Sequence, residues 1–289
     1  MAEIAFERDF KFEIPAAGLN IYRLRRPDVS QETVHRAGSR FGLRVAADTG
    51  SIVLNPLTIA YAEPSGWGLR QFRRSGGWQY RHGTRWQADG PGHLHITDDE
   101  AARLALDNLG RFGLPTWPEL GHANVQRLHV AHAARGGASH EERIVGVRVF
   151  YRRIVDGLSV EGSGGRTVVY LDHERQLSGI DHLWHDIESV HEPVRALRPI
   201  GEVIEEVRRR YGNGTGHIEV TDLRLAHFEL GWEEEQEYLQ PAYVATVRIN
   251  NPVSRFRMNA TVPVPAAVNA VGPIELVRPA PVQLMRRAG

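Results

Sequence analysis

Cysteine is missing from the 289-residue sequence, and lysine occurs only once, as Lys11. Without cysteine there can be no disulfide, iron–sulfur cluster, thiolate zinc site or cysteine nucleophile. Arginine therefore supplies nearly all of the positive charge, and its planar guanidinium group can bind a carboxylate or phosphate through two parallel hydrogen bonds. The 35 basic and 35 acidic residues cancel, so no overall field attracts nucleic acid or an anionic membrane.

Long apolar segments are missing as well. No run approaches the roughly 20 apolar residues that span a bilayer, and residues 1–12 are charged where a signal peptide would be apolar. We therefore expect no membrane span and a cytoplasmic protein as the chain stands, or an extracytoplasmic one if a leader has been removed. An HExxH zinc helix is also missing from the sequence, and we predict neither a metal nor a cofactor.

Three helices are predicted from the spacing of apolar residues. The first covers residues 30–41 and the second residues 98–112, with Ser30 and Thr97 as the N-caps. The third begins near Pro199, a favourable residue in a first helical turn, and continues to residue 211. With 42% hydrophobic residues, the chain can bury a core against these helices.

All three helices end on the same pattern. The tetrapeptide Arg-Phe-Gly-Leu occurs at 40–43 and again at 111–114, and residues 210–212 read Arg-Tyr-Gly. Glycine readily takes the left-handed conformation that ends a helix, and the aromatic residue before it closes the buried stripe. We therefore expect Phe41, Phe112 and Tyr211 to play equivalent parts, each holding its helix against its own sheet.

Strand-like segments follow each helix, which indicates antiparallel sheets rather than alternating βαβ units. The predicted fold class is α+β, with tandem modules in which a helix packs on a curved antiparallel sheet. The modules are an N-terminal one at 1–90, a central one at 91–195 and a C-terminal one at 196–289. The last module is expected to end in an extended proline-rich tail from residue 262 onward.

Residues 148–180 carry a resemblance to a known family. A tyrosine-bearing strand is followed by an Asp-Gly turn, a short Leu-x-Val run, a glycine-rich link, and a strand that ends in a second turn. The matching positions are Tyr151, Asp156-Gly157, Leu158 and Val160, Gly162–Gly165, 168–171 and 172–176, and a later Tyr-Leu-Gln-Pro-Ala-Tyr-Val stands at 238–244. This pattern resembles the FTP and PepSY propeptide modules of secreted bacterial metalloproteases.

The resemblance implies cystatin-like helix-on-sheet modules whose roles are binding, inhibition or chaperoning of a partner. No protease domain follows the propeptide-like region. The leading prediction is therefore a non-catalytic binding protein that presents its modules to a protein or peptide partner, with a small-molecule ligand as a further partner and no nucleic acid.

The alternative is a small-molecule tailoring enzyme, a cofactor-independent cyclase, isomerase or hydrolase that uses an apolar pocket. Its acid/base candidates are Tyr151, Glu161, His182, His185 and Asp186. His182 and His185 stand three residues apart, and Asp186 could orient an imidazole. The histidine and acidic residues at 172–191 have two further interpretations, a metal site and a solvated surface turn.

Three further patterns have two interpretations each. Tryptophans and tyrosines at 67–86 alternate with arginines and either pack in the core or line a concave or nucleic-acid-binding site. The acidic residues 233–235 form either a solvated hairpin tip or a patch for a basic partner. The glycine run 162–165 lacks the lysine and following helix of a phosphate loop, so we interpret it as a flexible link.

Overall fold

The computed structural model describes residues 4–6, 12, 14–16, 18–43, 51–62, 67–82, 84–85, 93–114, 119–130, 142–211, 217–251, 256–272 and 274. Within them lie helices α1 (Gln31–Arg40), α2 (Asp98–Arg111) and α3 (Ile200–Tyr211). The strands are β1 (Ile4–Phe6), β2 (Asn20–Leu24), β3 (Ser51–Leu54), β4 (Thr58–Ala62), β5 (Trp67–Phe72), β6 (Trp78–His82), β7 (Asn124–Val130), β8 (Arg143–Arg152), β9 (Ile154–Val155), β10 (Leu158–Gly162), β11 (Arg166–Asp172), β12 (Leu177–Leu183), β13 (Ile187–Pro193), β14 (His217–Glu229), β15 (Tyr238–Asn251) and β16 (Phe256–Pro265).

The three helices are confirmed with their local signals. The Ser30 hydroxyl accepts a hydrogen bond from the backbone N–H of Thr33 (3.2 Å), and the Thr97 hydroxyl accepts one from Glu100 (3.2 Å). After α1 and α2 the chain turns at Gly42 (φ 70°) and Gly113 (φ 65°), a conformation that glycine adopts without a Cβ clash. The third glycine, at 212, lies outside the described residues.

The predicted fold class is wrong. Strand accounts for 49% of the structure and helix for 17%, and the strands fall into two sheets of eight, so the protein is mostly β rather than a row of helix-on-sheet modules. The reason is that strands following different helices join one sheet: β6 pairs antiparallel with β12, with Tyr80 opposite Ile180. A one-dimensional pattern specifies strands but not their partners.

The chain divides into two compact units. Unit 1 comprises Met1–Phe12, Val194–Leu225 and Gln240–Gly289, and unit 2 comprises Glu13–Pro193 and Ala226–Leu239. Residues on both sides of the predicted boundary at 90 belong to unit 2, whereas the predicted boundary at 195 falls beside Val194, where the chain passes into unit 1.

One sheet of unit 2 has the strand order β3-β4-β5-β6-β12-β11-β8-β7. α1 packs on β4 and β5, while α2 packs on β7, β8 and β11. Both helices therefore cover one sheet and share one core, in which the rings of Phe41 and Phe112 lie 4.6 Å apart. The expectation that each aromatic holds a helix against its own sheet is wrong for these two, and the Tyr211 side chain lies outside the described residues.

Further pairings in unit 2 place the strands that carry buried polar groups. β13 pairs antiparallel with β2, and β10 pairs parallel with the end of β14, where Val160 stands opposite His227. The Asp156-Gly157 turn joins β9 to β10 with both residues at positive φ (51° and 75°). The hairpin predicted from Asp-Gly is confirmed.

In unit 1, α3 packs on β16, which pairs antiparallel with β15. Val262 and Val264 of β16 are buried, so the predicted tail begins inside a core strand rather than on the surface. Val271, which follows β16, is held by the side chain of Gln240 in β15. This side chain accepts from the backbone N–H of Val271 and donates to its carbonyl oxygen. Residues 275–289 lie outside the described part of the chain.

None of the helices in the described ranges is both long and apolar enough to cross a membrane.

Candidate functional site

Unit 2 contains an open groove of about 730 Å³ at the C-terminal ends of α1 and α2. We call it the helix-end groove. Its walls come from the two helix ends, and its floor comes from β6 and the start of β12. The lining residues are Ser39, Arg40, Phe41, Gly42, Tyr80, His82, Arg85, Leu104, Asp107, Asn108, Arg111, Phe112, Arg175, Gln176 and Leu177.

The floor of the groove is aromatic. The ring of Phe41 stacks on that of Tyr80, with centroids 4.4 Å apart and planes 15° apart, and Phe112 also packs against Phe41, with centroids 4.6 Å apart. Phe41 is buried and Phe112 is partly exposed. Tyr80 and Phe41 are buried beneath it, so Phe112 is the ring of this stack that is partly exposed.

Arginines form the rim of the groove, and two of them are neutralised within the chain. Arg85 binds Asp172 (2.8 Å) and Glu174 (2.9 Å), and these hydrogen bonds hold the pKa of its guanidinium group above the ordinary value. Arg175 binds Glu100 (2.7 Å).

Arg40 and Arg111 differ from these two. Among the described residues, no carboxylate lies within ion-pair distance of either guanidinium group, and both side chains are exposed. The acidic lining residue, Asp107, is bound by Arg103 (3.2 Å). Burial, and then the charge of Arg85, lowers the pKa of His82, so this histidine is neutral near pH 7. Within the described part of the chain, the groove therefore presents two arginines that have no carboxylate partner, together with aromatic side chains.

A second polar site in unit 2, which we call the buried cluster, is closed. His185 and Glu229 are almost fully buried (side-chain exposure 1% and 0%), and Nδ1 of His185 lies 2.8 Å from Oε1 of Glu229. Because an ionised carboxylate can only accept, Nδ1 carries the proton. The backbone N–H of His185 donates to the same oxygen (2.8 Å).

Arg153 closes one side of the buried cluster. Its Nη1 donates to the carbonyl oxygen of His185 (2.7 Å), and its guanidinium group lies 4.6 Å from the centre of the Trp184 ring. Burial lowers the pKa of Arg153, opposed first by the charge of Glu229. The positive charge of Arg153 thus balances a buried carboxylate, as buried charges require.

Asp156 anchors the other side of the buried cluster. One of its carboxylate oxygens accepts from the Tyr22 hydroxyl, and the other accepts from the backbone N–H of Asn20 (2.9 Å) and lies 3.4 Å from Nε2 of His227. Burial acts to raise the pKa of Asp156, but the contacts with His227, Tyr22 and Asn20 outweigh it and hold the pKa below its ordinary value. Burial likewise lowers the pKa of His227 and raises that of Tyr22 to about 12.

The glycine run 162–165 packs directly on Glu229. A Cβ atom on Gly164 would lie 2.6 Å from Cγ of Glu229 and 2.5 Å from the carbonyl oxygen of Leu230. A Cβ atom on Gly162 would lie 2.3 Å from the carbonyl oxygen of Glu229. The run therefore lets the backbone approach a buried carboxylate, which is a packing role rather than that of a flexible link.

The five predicted acid/base residues do not form one constellation. Tyr151 lies in the core under α2, where its hydroxyl donates to the carbonyl oxygen of Ala102 (2.9 Å). Glu161 lies on β10 near Arg152 (3.9 Å), and Asp186 is exposed.

The two histidines of that set have different surroundings. Nδ1 of His182 lies 2.8 Å from the Thr167 hydroxyl, and its ring packs against Trp78 and Trp184. Burial lowers the pKa of His182. His185 belongs to the buried cluster instead.

The remaining sequence hypotheses have mixed outcomes. No group of three histidine or acidic residues that could hold a metal ion occurs in the described ranges. Glu235 of the acidic run pairs with Arg26 (3.2 Å) inside the chain. Tyr80 packs in the core and Arg85 lines the groove, whereas Trp86 lies outside the described residues.

Sequence reasoning missed the two features that define these sites. Arg40 and Arg111 were read only as parts of helix ends, and nothing in a linear pattern places two helix ends side by side. No sequence motif singles out Glu229. A signal was available, because His227 and Glu229 alternate with apolar residues on a strand and point to one face.

Comparisons with known proteins identify a fold and no function. No family model matches the chain, and no curated protein matches it. Among solved structures, the chain is similar to an uncharacterized protein from Eubacterium rectale ATCC 33656, with a TM-score of 0.54 and 10% sequence identity over 89% of this chain and 86% of that one. At this identity the likeness concerns the fold alone, and the resemblance to FTP and PepSY modules stays a prediction.

Proposed function

We propose that the protein is a non-catalytic binding protein whose helix-end groove takes up an acidic segment of a protein or peptide partner. The observation that carries this proposal is the pair of exposed arginines, Arg40 and Arg111, that have no carboxylate partner in the described part of the chain and stand above an aromatic floor. A groove with positive charge at its rim and apolar surface at its base is complementary to a segment that alternates acidic and apolar side chains.

The size and openness of the groove agree with such a ligand. Its volume of about 730 Å³ lies within the range of small ligand sites, and its apolar lining from Phe41, Phe112, Leu104 and Leu177 could receive one or two side chains. The arginines would then bind carboxylates bidentately, which lysine could not do.

A second candidate function, the small-molecule tailoring enzyme, is favoured by one observation. Glu229 orients His185 through Nδ1, as a carboxylate orients a general base. Nε2 of His185, which would take the substrate proton, is buried. A substrate could reach it only after unit 2 opened, so we rank this candidate second.

The proposal is tested by isothermal titration calorimetry with two end-blocked peptides, one alternating glutamate with leucine and the other alternating arginine with leucine. We expect the acidic peptide to bind, and we expect its affinity to fall as the salt concentration rises, because exposed charge pairs are screened. The paired substitution Arg40→Glu/Arg111→Glu should abolish binding. Arg36→Glu is the matched control, since Arg36 lies one turn earlier on α1, is exposed, and does not line the groove.

Equal binding of both peptides, or binding that survives the paired charge reversal, would overturn the proposal. So would recovery of a chemically altered peptide by mass spectrometry, which would favour the enzyme.

A further inference from the structure

We infer that the ligand of the helix-end groove carries two anionic groups, one for Arg40 and one for Arg111, with an apolar group between them. This inference rests on the proposed function and names the chemistry of the ligand. Its basis is an approximate two-fold arrangement of the sheet and helices that form the groove.

The strand order of the sheet reads the same outward from its centre in both directions. α1 precedes β3, β4, β5 and β6, and α2 precedes β7, β8, β11 and β12. In the sheet, each set occupies one half, and the last strands of the two sets, β6 and β12, meet antiparallel at the centre. An antiparallel central pair relates the two halves by an approximate two-fold axis that passes between its strands.

The helices follow the same relation. α1 packs on β4 and β5 in one half, whereas α2 packs on β8 and β11 in the other. Both helices end with the same tetrapeptide and the same left-handed glycine, and the aromatic rings of Phe41 and Phe112 meet at 4.6 Å. Arg40 and Arg111, which immediately precede these rings, both line the groove, and they occupy corresponding positions in the two halves.

The surroundings of Arg40 and Arg111 favour the binding of anionic groups. The Arg111 guanidinium group lies 5.6 Å from the centre of the Phe112 ring, a contact that holds it beside the aromatic floor. A basic residue in a last helical turn also offsets the partial negative charge of the helix end. That effect acts on stability alone, so a binding measurement separates it from ligand recognition.

The test compares two end-blocked peptides by calorimetry, acetyl-Glu-Leu-Leu-Glu-amide and acetyl-Glu-Leu-Leu-Gln-amide. The peptide with two carboxylates should bind about tenfold more tightly, since it gains a second charge-assisted contact. Arg40→Gln and Arg111→Gln should each lower the affinity of the peptide with two carboxylates about tenfold, and Arg36→Gln should leave that affinity unchanged.

The peptide with one carboxylate should respond differently. This peptide can bind to either arginine, so each single substitution removes one of two binding modes and should lower its affinity only about twofold. The double substitution should lower its affinity at least tenfold. This pattern would support two-point recognition.

Three results would overturn the inference, and the first is distinguishable from the other two. If both peptides bind with equal affinity and only one arginine matters, two-point recognition is wrong while the proposed function stands. If neither peptide binds, the proposed function fails and the inference fails with it. Binding of inorganic phosphate in place of both peptides has the same consequence.

Discussion

The helix-end groove and the buried cluster are both rich in charge, but they differ in where that charge is satisfied. In the buried cluster, Glu229 meets the N–H groups of His185 and Asp156 meets Tyr22 and Asn20. In the groove, Arg40 and Arg111 are exposed and meet no carboxylate among the described residues. In the buried cluster, Oε1 of Glu229 is hydrogen-bonded, although its Oε2 atom and Nε2 of His185 have no partner in the described part of the chain. Buried charge that meets hydrogen-bond donors contributes to stability, whereas exposed charge without a carboxylate beside it is available to a partner.

The comparison predicts first that the buried cluster carries stability. Glu229→Ala removes the acceptor of both His185 N–H groups and the carboxylate whose charge most raises the pKa of Arg153, so the free energy of unfolding should fall by about 3 kcal/mol. Unfolding in urea measures this change in the free energy of unfolding. Glu188→Ala is the control, because that carboxylate is half exposed on β13 and should matter by about 0.5 kcal/mol or less. If the two substitutions lowered the free energy of unfolding equally, the buried cluster would not be the source of the stability.

The second prediction concerns the glycine that packs on Glu229. In Gly164→Ala the new methyl group would overlap the Glu229 side chain and the carbonyl oxygen of Leu230, which should cost about 2 kcal/mol of unfolding free energy. The matched control is Gly110→Ala on α2, where a Cβ would meet nothing within 4 Å. That change should stabilise the protein by about 0.5 kcal/mol or more. Thermal unfolding of both variants measures the two effects, and melting temperatures that shift in the same direction would contradict the prediction.

The third prediction is a pH dependence. Burial lowers the folded-state pKa values of His182 and His227, so below about pH 6.5 the unfolded chain takes up protons that the folded chain does not. The free energy of unfolding should therefore fall between pH 7 and pH 5, by about 1 kcal/mol per pH unit for the buried His227 and by less for the partly exposed His182. Asp156 and Glu206, whose folded pKa values are lowered, lose their contribution only in more acidic solution.

His182→Gln provides the check on this dependence. The variant should show a shallower decline between pH 7 and pH 5 than the natural chain. An unchanged slope would mean that His182 is not among the groups responsible.

The sequence predicted what depends on neighbouring residues. Ser30, Thr97 and the two glycines after α1 and α2 act within one helical turn, so the helices and their ends were confirmed. The Asp156-Gly157 hairpin was confirmed for the same reason, because a turn that needs positive φ is a local requirement.

What failed depends on pairings between distant residues. Tyr80 and Ile180 stand opposite each other on β6 and β12, and that single pairing unites what were predicted as separate modules. Strand propensity does not choose partners, since many antiparallel pairings bury similar surface. The groove could not be predicted because it exists only where the two helix ends meet.

The most direct test of the account measures the affinity of one acidic peptide for two variants. Arg40→Gln/Arg111→Gln should lose about a hundredfold in affinity, yet its unfolding free energy should change by about 1 kcal/mol or less. Tyr22→Phe, which removes a donor to Asp156, should lower the unfolding free energy by about 1 kcal/mol and leave the affinity within about twofold of the natural chain. The opposite result, in which the arginine pair leaves the affinity unchanged and Tyr22→Phe abolishes binding, would contradict the account.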